Sequence, residues 1–350
     1  MTKALDASQA PAPAATGAGA LPRWLPGLGL VLVVALVARF IGRYTGIVPD
    51  VVIALAIGIA IRNIVKPAGI EAGTKFTLFY VLRTAIILLG AGLSIQAVIA
   101  TGSSTLLLVV TLVIVSMLLG LALARLFRLK GTIGTLIGAG TAICGGSAIL
   151  TVGPILGAAE EEIAYAITTI FAFNIVALLA YPAIGHALGM TQTAFGSWAG
   201  TAVNDTSVVV ATGLVYGTTA GAVATIVKLT RTVLLVPLAV AVGLVNAARS
   251  GKGDASSSVV QRAVKATPWF ILGFVAMAVL NSLGAFSPQV GAALKVIASF
   301  LIVMVLAGVG LNVDVRKMVR LGPRPMLVGF LLATIMAFCS YGLVGALGIH

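Results

Sequence analysis

Two basic residues stand inside an apolar stretch of the chain. Lys228 and Arg231 lie about 10 and 13 residues into the segment 218–247, which at 1.5 Å per helical residue is roughly 15–20 Å from its beginning. Because they are three positions apart, they share one face of a helix. A charge at this depth in a bilayer costs at least about 2.5–3.5 kcal/mol unless it is paired or hydrated. The spacing therefore predicts a cavity or an ion pair at this point.

An acid and several hydroxyl groups are candidate partners for these cations. Asp205 lies in a neighbouring apolar stretch, and we expect it to form an ion pair with one of them in the empty protein. One carboxylate cannot neutralise two cations, so the remaining positive charge predicts an anionic ligand. Arg231 can present a planar, bidentate fork to an oxyanion. The hydroxyl donors are Thr141, Ser147, Thr206 and Ser207.

These hydroxyl groups belong to two similar glycine-rich stretches. The pattern Ala-Gly-Thr-Ala-Ile at 139–143, followed by Ser147, recurs sixty residues later as Ala-Gly-Thr-Ala-Val at 199–203, followed by Ser207. The first copy continues with Cys-Gly-Gly at 144–146 and the second with Asn-Asp-Thr at 204–206. Since an interior glycine costs a helix roughly 1 kcal/mol, we expect the backbone to unwind at Gly145-Gly146.

A broken helix at membrane depth indicates a site. Lipid cannot satisfy the freed peptide groups, so the break must be buried in protein or line a wet cavity. Two interrupted segments with matching polar residues are typical of a transporter's substrate site, where half-helix N-termini favour anions. The alternative is close helix packing through small residues, for which the Gly134-xxx-Gly138 spacing is suited. The first interpretation adds to the predicted substrate contacts Cys144, Gly145, Gly146 and Asn204.

The composition is that of an integral membrane protein. Of 350 residues, 60% are hydrophobic and 9% are charged, and the mean hydropathy is +1.15. Apolar runs of about 20 residues, each long enough to cross a bilayer, predict an all-α fold of about eleven transmembrane helices, some of them interrupted. Their expected positions are 24–43, 48–66, 76–97, 102–127, 132–157, 162–186, 194–215, 218–247, 267–284, 289–312 and 325–348.

Basic residues between these spans set the expected topology. The net charge of +13 forms no single patch with interleaved aromatics, so no nucleic acid partner is expected. The strongly basic loops follow the second, fourth, eighth and tenth spans, which places them and the N-terminus in the cytoplasm and the C-terminus outside. Glu160–Glu162 would lie on the opposite side. We expect residues 1–22 to be a disordered tail, 23–350 the transmembrane domain, and 248–266 a cytoplasmic linker between its halves.

A second internal similarity links Leu89–Ser94 to Ala307–Asn312. The spans that carry it point in opposite directions in this topology, as inverted repeats require. The sixty-residue repeat, however, relates two spans that should be parallel, so the two similarities do not give one division of the chain. The sequence contains no nucleophile–base pairing, nucleotide-binding motif or cluster of metal ligands, so we expect neither an enzyme nor a bound cofactor or metal.

The sequence resembles the YeiH-type family of bacterial inner-membrane proteins, which are described as sulfate exporters. The resemblance runs from about residue 24 to the end and is carried by GTAICGGSAI at 140–149, GTAVNDTS at 200–207 and IVKLTRT at 226–232. It implies a fold of the cation/proton antiporter and anion transporter type, with inverted repeats and crossed, broken helices. Some members carry a His before the acid where this chain has Asn204, and a Gln where it has Val208. Because Asn does not titrate near neutral pH, a proton-carrying role does not transfer to position 204.

Two hypotheses follow. The first is a secondary transporter that exports sulfate or a related sulfur oxyanion or sulfonate by alternating access, with Lys228 and Arg231 holding the anion and Asp205 coupling to H⁺ or Na⁺. The alternative is a Na⁺ or K⁺/proton antiporter with Asp205 as the ion ligand. A passive channel would need a continuous charged pore, which broken segments do not suggest. The expected location is the bacterial inner membrane, with a homodimer as a possible assembly.

Overall fold

The structure, a computed structural model, describes residues 22–45, 48–129, 132–250, 269–316 and 323–349. Within these ranges the chain is helical and contains no strand. The predicted tail and most of the predicted linker lie outside the described residues. The helices, in chain order, are α1 Leu25–Thr45, α2 Asp50–Ile64, α3 Glu71–Gly90, α4 Ile95–Leu126, α5 Ile133–Ala142, α6 Gly146–Leu156, α7 Glu160–Ala187, α8 Gln192–Ala202, α9 Thr206–Tyr216, α10 Thr218–Val233, α11 Leu235–Ser250, α12 Phe270–Ser282, α13 Pro288–Asn312 and α14 Pro323–Ala346.

Seven helical segments in the described part of the chain are long and apolar enough to cross a bilayer: α1, α3, α4, α7, α10 with α11, α13 and α14. Their positions agree with predicted spans, and the prediction of an all-α membrane protein is confirmed. The predicted spans 48–66 and 267–284 correspond to the shorter helices α2 and α12, and that these also cross the membrane stays a prediction. The predicted spans 132–157 and 194–215 are each a pair of helices of only 10 or 11 residues.

The chain divides into two compact units. The first contains α1 to α3, the first residues of α4, α12 and α13, and the second contains α4 from Ile99 onward, α5 to α11 and α14. In the first unit α3 and α13 are antiparallel: Thr74 contacts Asn312 at 3.3 Å, whereas Gly92 at the other end packs against Lys295. The two similar motifs that end these helices therefore point in opposite directions, as the sequence predicted.

In the second unit, the first glycine-rich stretch forms a helical hairpin, hairpin 1, in which α6 folds back along α5. A Cβ placed on Gly140 would lie 2.9 Å from Ile149 Cδ1, and one placed on Gly153 would lie 3.8 Å from Leu136 Cδ2. These pairs are equally spaced on either side of the turn, as antiparallel helices require. Hairpin 1 is thus not a broken helix that continues in one direction.

The open end of hairpin 1 is tied to the beginning of α7 by Glu162. Its carboxylate accepts hydrogen bonds from Thr132 N at 3.0 Å, Thr132 Oγ1 at 2.9 Å and Ala159 N at 3.1 Å. Thr132 precedes α5 and Ala159 follows α6, so both ends of the hairpin meet here. The hydrogen bond from Ala159 N to the Glu162 carboxylate also satisfies a backbone N–H at the start of α7. The helix dipole favours a carboxylate at this position.

The second glycine-rich stretch forms hairpin 2, in which α9 folds back along α8. Gln192, the first residue of α8, accepts hydrogen bonds through Oε1 from Thr219 N at 2.9 Å and Ala220 N at 3.2 Å, just beyond α9. The rings of Phe195 and Tyr216, near the beginning of α8 and at the end of α9, stack with centroids 3.8 Å apart. The two ends of hairpin 2 are therefore also adjacent.

Helix α7 connects the two hairpins and shows that they point toward each other. Hairpin 1 is held at Glu162, whereas the ring of His186, near the end of α7, stacks on Tyr216 of hairpin 2 at 4.2 Å. Asn174, midway between Glu162 and His186, bonds to the turn of hairpin 2. Each open end is therefore roughly 18 Å along α7 from the level where the turns meet, at 1.5 Å per residue.

Close packing through small residues also occurs, at different glycines from the breaks. A Cβ on Gly120 of α4 would lie 2.7 Å from Gly138 Cα, and Gly134 packs against Ala124. Gly134 and Gly138 thus let α5 approach α4, as the packing interpretation expected. Both interpretations of the glycine-rich stretch apply, each to its own residues.

The placement of Glu160–Glu162 opposite the basic loops was wrong. That placement treated residues 132–157 as one span, but hairpin 1 returns to the side it started from. Glu162 binds Thr132, four residues after Arg128 of the loop that follows α4. The acidic cluster and that basic loop therefore lie on the same side.

Candidate functional site

The turns of the two hairpins meet. We call Ile143–Gly145 tip 1 and Val203–Asp205 tip 2. A Cβ placed on Gly145 would lie 3.7 Å from both Asn204 C and Asp205 N, so the two backbones are separated by little more than van der Waals distance. Tip 1 and tip 2 are the equivalent positions of the sixty-residue repeat, so the sequence correctly predicted that both copies break and contribute to one place.

Lys228 of α10 bridges the two tips. Its ammonium donates hydrogen bonds to Ile143 O at 2.6 Å and to Val203 O at 3.1 Å, one carbonyl from each tip. The side chain is fully buried, with 0% exposed. The last carbonyls of a helix lack partners within the helix, so one cation here satisfies the ends of both α5 and α8.

Arg231 has the same role one turn further along α10. Its Nε donates to Ala142 O at 2.5 Å, Nη1 donates to Thr201 O at 2.5 Å, and Nη2 donates to Thr141 O. Only 1% of the residue is exposed. Because a helix C-terminus carries a partial negative charge, the guanidinium is placed where two such ends converge. Lys228 and Arg231 both bind carbonyls at the ends of α5 and α8. This confirms the prediction that they share one face of their helix.

The expected ion pair between Asp205 and one of these cations was wrong. Among the described residues, neither Lys228 nor Arg231 has a carboxylate oxygen within 4.0 Å. The cations bind backbone carbonyls because α5 and α8 both end beside α10, and those buried carbonyls need donors. A sequence pattern does not reveal that need, since it depends on where the helices end in space.

Asp205 instead caps the helix that follows tip 2. Its Oδ1 accepts from Ser207 N at 2.9 Å and Val208 N at 3.4 Å, and it also accepts from the Ser207 hydroxyl. An aspartate at this position satisfies the free N–H groups at the start of α9. Ser207 and Thr206 are 1% and 8% exposed, so two buried hydroxyl groups follow tip 2, and that of Ser207 is bonded to the Asp205 carboxylate.

The helix that follows tip 1 has no carboxylate cap. Gly145 stands in the capping position with φ of 64° and cannot provide a side-chain acceptor. The first N–H groups of α6, at Gly146 and Ser147, therefore keep their partial positive charge. Ser147 is exposed, unlike its repeat partner in hairpin 2. The thiol of Cys144 is buried against the Ala148 backbone and the Ser147 hydroxyl.

Asn174 lies beside the tips, although the sequence analysis did not include it among the site residues. Its Oδ1 accepts hydrogen bonds from Asn204 N at 3.0 Å and Asp205 N at 3.2 Å, so the side chain holds tip 2 in place. In the sequence an amide within a span suggests helix packing. Asn281 has that role, since it donates to Leu93 O at 3.0 Å. The only sequence signal was that Asn174 lies in the span between the two repeats.

The structure brings the predicted site residues together at one point. Their backbone or side-chain groups all belong to the tips, the helix ends beside them or the face of α10 that binds them, which agrees with a single site. That they contact a substrate stays a prediction. The residues concerned are Thr141, Cys144, Gly145, Gly146, Ser147, Asn204, Asp205, Thr206, Ser207, Lys228 and Arg231.

The fold and the site define a polytopic helical membrane protein in which two helical hairpins meet tip to tip. The family model described as Conserved hypothetical protein 698 matches residues 26–329, and the chain belongs to this family, that of the UPF0324 membrane proteins. This confirms the resemblance to YeiH-type proteins.

Similar relatives come from several bacteria. The chain is 37% identical over 316 residues to a UPF0324 membrane protein of Streptococcus agalactiae serotype V, covering 89% of each protein. It is 36% identical to one of Streptococcus mutans serotype c, covering 93% of this chain and 98% of the relative. It is 35% identical to one of Fusobacterium nucleatum, covering 84% and 90%. No solved structure matches the chain.

Proposed function

We propose that the protein is a secondary active transporter that exports a small sulfur oxyanion or sulfonate across the bacterial inner membrane by alternating access. The observation that carries this proposal is the meeting of two hairpin tips around two buried cations and one carboxylate. Hairpins that break at membrane depth supply backbone groups that lipid cannot satisfy, and transporters use such groups to bind substrates.

The charge at the tips supports an anion. The tips hold two basic side chains, Lys228 and Arg231, beside one acid, and the partial negative charge of each helix end at α5 and α8 is smaller than a unit charge. Asp205 contributes one negative charge, which it places on the start of α9. The start of α6 remains without a compensating acid. The surroundings of the tips therefore favour a negative ligand, even though both cations bind carbonyls and not the ligand directly.

The cation/proton antiporter alternative has less support from the geometry. A Na⁺ or K⁺ ion would need several oxygen ligands from the broken helices. The carbonyls of Ile143 and Val203 at the tips are bonded to Lys228, and the carboxylate of Asp205 is bonded to backbone N–H groups. A cation would have to displace an ammonium from these oxygens.

The hairpins also suggest how the repeats divide the chain. Hairpin 1 with α7, and hairpin 2 with α10 and α11, would form two inverted repeats, because hairpin 1 begins at one end of α7 and hairpin 2 at the other. Asn246 of α11 donates to Ile155 O at the open end of hairpin 1 at 3.2 Å, so α10 and α11 run back past both hairpins. The conflict between the sixty-residue repeat and an inverted arrangement then disappears, since the two copies enter from opposite sides.

Reconstitution in liposomes tests the proposal. Uptake of radiolabelled sulfate would be measured with sulfite and taurine as competitors and with pH and Na⁺ gradients imposed separately. We expect saturable anion flux that empty liposomes lack, and a dependence on one gradient that disappears in Asp205→Asn. Proton movement on adding Na⁺ or K⁺, without any anion flux, would instead establish the cation antiporter.

A further inference from the structure

Two buried amide atoms where the tips meet lack a hydrogen-bond partner among the described residues. They are the donor Asn174 Nδ2 and the acceptor Asn204 Oδ1, and their residues are only 1% and 2% exposed. The orientation of Asn174 is fixed because its Oδ1 accepts two backbone N–H groups, so its NH₂ group must face away from them. A buried polar atom without a partner costs about 1–3 kcal/mol. The two atoms together indicate a ligand.

Helix α7, which carries Asn174, also contacts tip 1, the turn that precedes α6. Ile170, one turn before Asn174 on α7, lies within contact distance of tip 1: a Cβ on Gly145 would be 3.2 Å from Ile170 Cγ2. Residues four apart share a helix face, so Asn174 continues that face from tip 1 to tip 2. The N–H groups of Gly146 and Ser147 at the start of α6, and the hydroxyl of the exposed Ser147, follow Gly145 directly in the chain and so lie near its contact with Ile170.

The chemistry of these groups differs from that of a plain sulfate site. Asn174 Nδ2, the Ser147 hydroxyl and the first N–H groups of α6 can all donate to an oxyanion. Asn204 Oδ1 can only accept, and a fully deprotonated oxyanion offers it nothing. A ligand that satisfies all of these groups has oxyanion oxygens and at least one hydrogen-bond donor.

We propose that the tips bind a small oxyanion that also carries a hydrogen-bond donor, such as a hydroxysulfonate, an aminosulfonate or a protonated inorganic oxyanion. Its oxygens accept from the start of α6 and from Asn174, and its donor binds Asn204 Oδ1. This inference rests on the proposed anion transport and narrows its substrate class. It predicts that sulfate is a poorer ligand than its protonated or hydroxylated relatives.

A matched pair of ligands provides the test. Isethionate and ethanesulfonate are both two-carbon sulfonates, and isethionate has in addition a terminal hydroxyl group. Their inhibition constants against uptake of radiolabelled sulfate would be measured with the purified full-length protein in liposomes. We expect isethionate to bind at least about tenfold more tightly, because a buried acceptor that loses its partner penalises the analogue that lacks the hydroxyl.

The variant Asn204→Leu assigns that preference to one atom. Leucine has the same branching at Cγ and no acceptor, so the ratio of the isethionate and ethanesulfonate affinities should fall to about one, whatever the absolute affinities of the variant. Equal binding of both ligands by the wild-type protein would overturn the inference, whether or not the variant folds. Wild-type protein that binds neither sulfonate, nor sulfate, would contradict the proposed function itself.

Discussion

Gly145 and Asp205 occupy equivalent positions of the two hairpins, sixty residues apart, yet they leave opposite conditions at the helices that follow. The carboxylate of Asp205 binds two N–H groups at the start of α9, whereas Gly145 leaves the start of α6 without an acid. Two similar hairpins therefore differ where an anion would bind. If the protein transports an anion as proposed, this asymmetry favours hairpin 1 for the anion, whereas the ionisable group lies on hairpin 2.

A carboxylate introduced at the start of α6 should compete with the substrate. Ser147→Asp places a negative charge in the first turn, where it interacts favourably with the helix dipole by about 0.3–1 kcal/mol. We expect anion affinity to fall by at least about tenfold, since like charges repel at close range. Thermal unfolding and inhibition of sulfonate uptake measure the two effects separately.

The matched control is Ser147→Asn, which has the same shape as the aspartate variant without its charge. It should keep anion affinity within about threefold of the wild type, since an amide can still donate. If the aspartate and asparagine variants bind the anion equally well, the ligand does not lie at the start of α6.

Lys228 and Arg231 should prove to be structural as well as functional. Replacing Arg231 by Met leaves three carbonyls without their donor, and replacing Lys228 leaves two, at about 1–3 kcal/mol for each buried group that stays unpaired. We expect both variants to lose transport and to unfold at lower temperature, Arg231→Met more so than Lys228→Met. The measurement is thermal unfolding in detergent beside transport in liposomes.

Arg83→Met is the comparison for this pair. Its guanidinium lies 3.4 Å from the centroid of the Phe79 ring, so its removal costs packing but no backbone partner. Transport lost from Lys228→Met without any decrease in unfolding temperature would favour direct anion contact, which is the role that the sequence alone suggested.

The sequence predicted the breaks but not their shape. A hydrophobic stretch of about 25 residues can be one span or two helices of about 10 residues that fold back, because both bury the same residue types. The difference lies in contacts such as that of Gly140 with Ile149, which no periodicity shows. Lys228 and Arg231 were identified because a charge in an apolar run is conspicuous, whereas their carbonyl partners carry no sequence signal at all. Asn174 was missed because its amide is equally suited to helix packing.

Gly145 and its neighbour Gly146 should respond oppositely to alanine. Gly145 has φ of 64° and ψ of −119°, a conformation that residues with a Cβ avoid, and the added methyl group would lie 3.2 Å from Ile170. Gly145→Ala should therefore destabilise the protein by about 1–3 kcal/mol. Gly146 is helical, and its nearest obstacle is 3.7 Å away, so Gly146→Ala should be neutral or slightly stabilising.

Unfolding temperatures of the two alanine variants decide this prediction. Because the substitutions are adjacent and chemically identical, general effects of lowering glycine content cancel in the comparison. Equal stability of both variants would show that tip 1 does not need the left-handed conformation in which the structure places Gly145.

The re-entrant hairpins make a prediction about sides of the membrane that a straight-span topology contradicts. Arg128, Glu161 and Leu188 are exposed, and Glu162 ties the start of α7 to the loop that contains Arg128. Single cysteines would be introduced at these three positions in a Cys144→Ser, Cys339→Ser background, which itself should not react. Membrane-impermeant maleimide would be applied to intact cells and to inverted vesicles.

We expect Arg128→Cys and Glu161→Cys to react from one side of the membrane and Leu188→Cys from the other. Hairpin 1, between positions 128 and 161, returns to the side on which it begins, whereas α7, between positions 161 and 188, crosses. If residues 132–157 crossed the membrane once, Glu161→Cys and Leu188→Cys would exchange sides. The basic loops further predict that the side shared by positions 128 and 161 is cytoplasmic. Labelling of Glu161→Cys opposite to Arg128→Cys would therefore remove the geometric basis for two hairpins that enter from opposite sides.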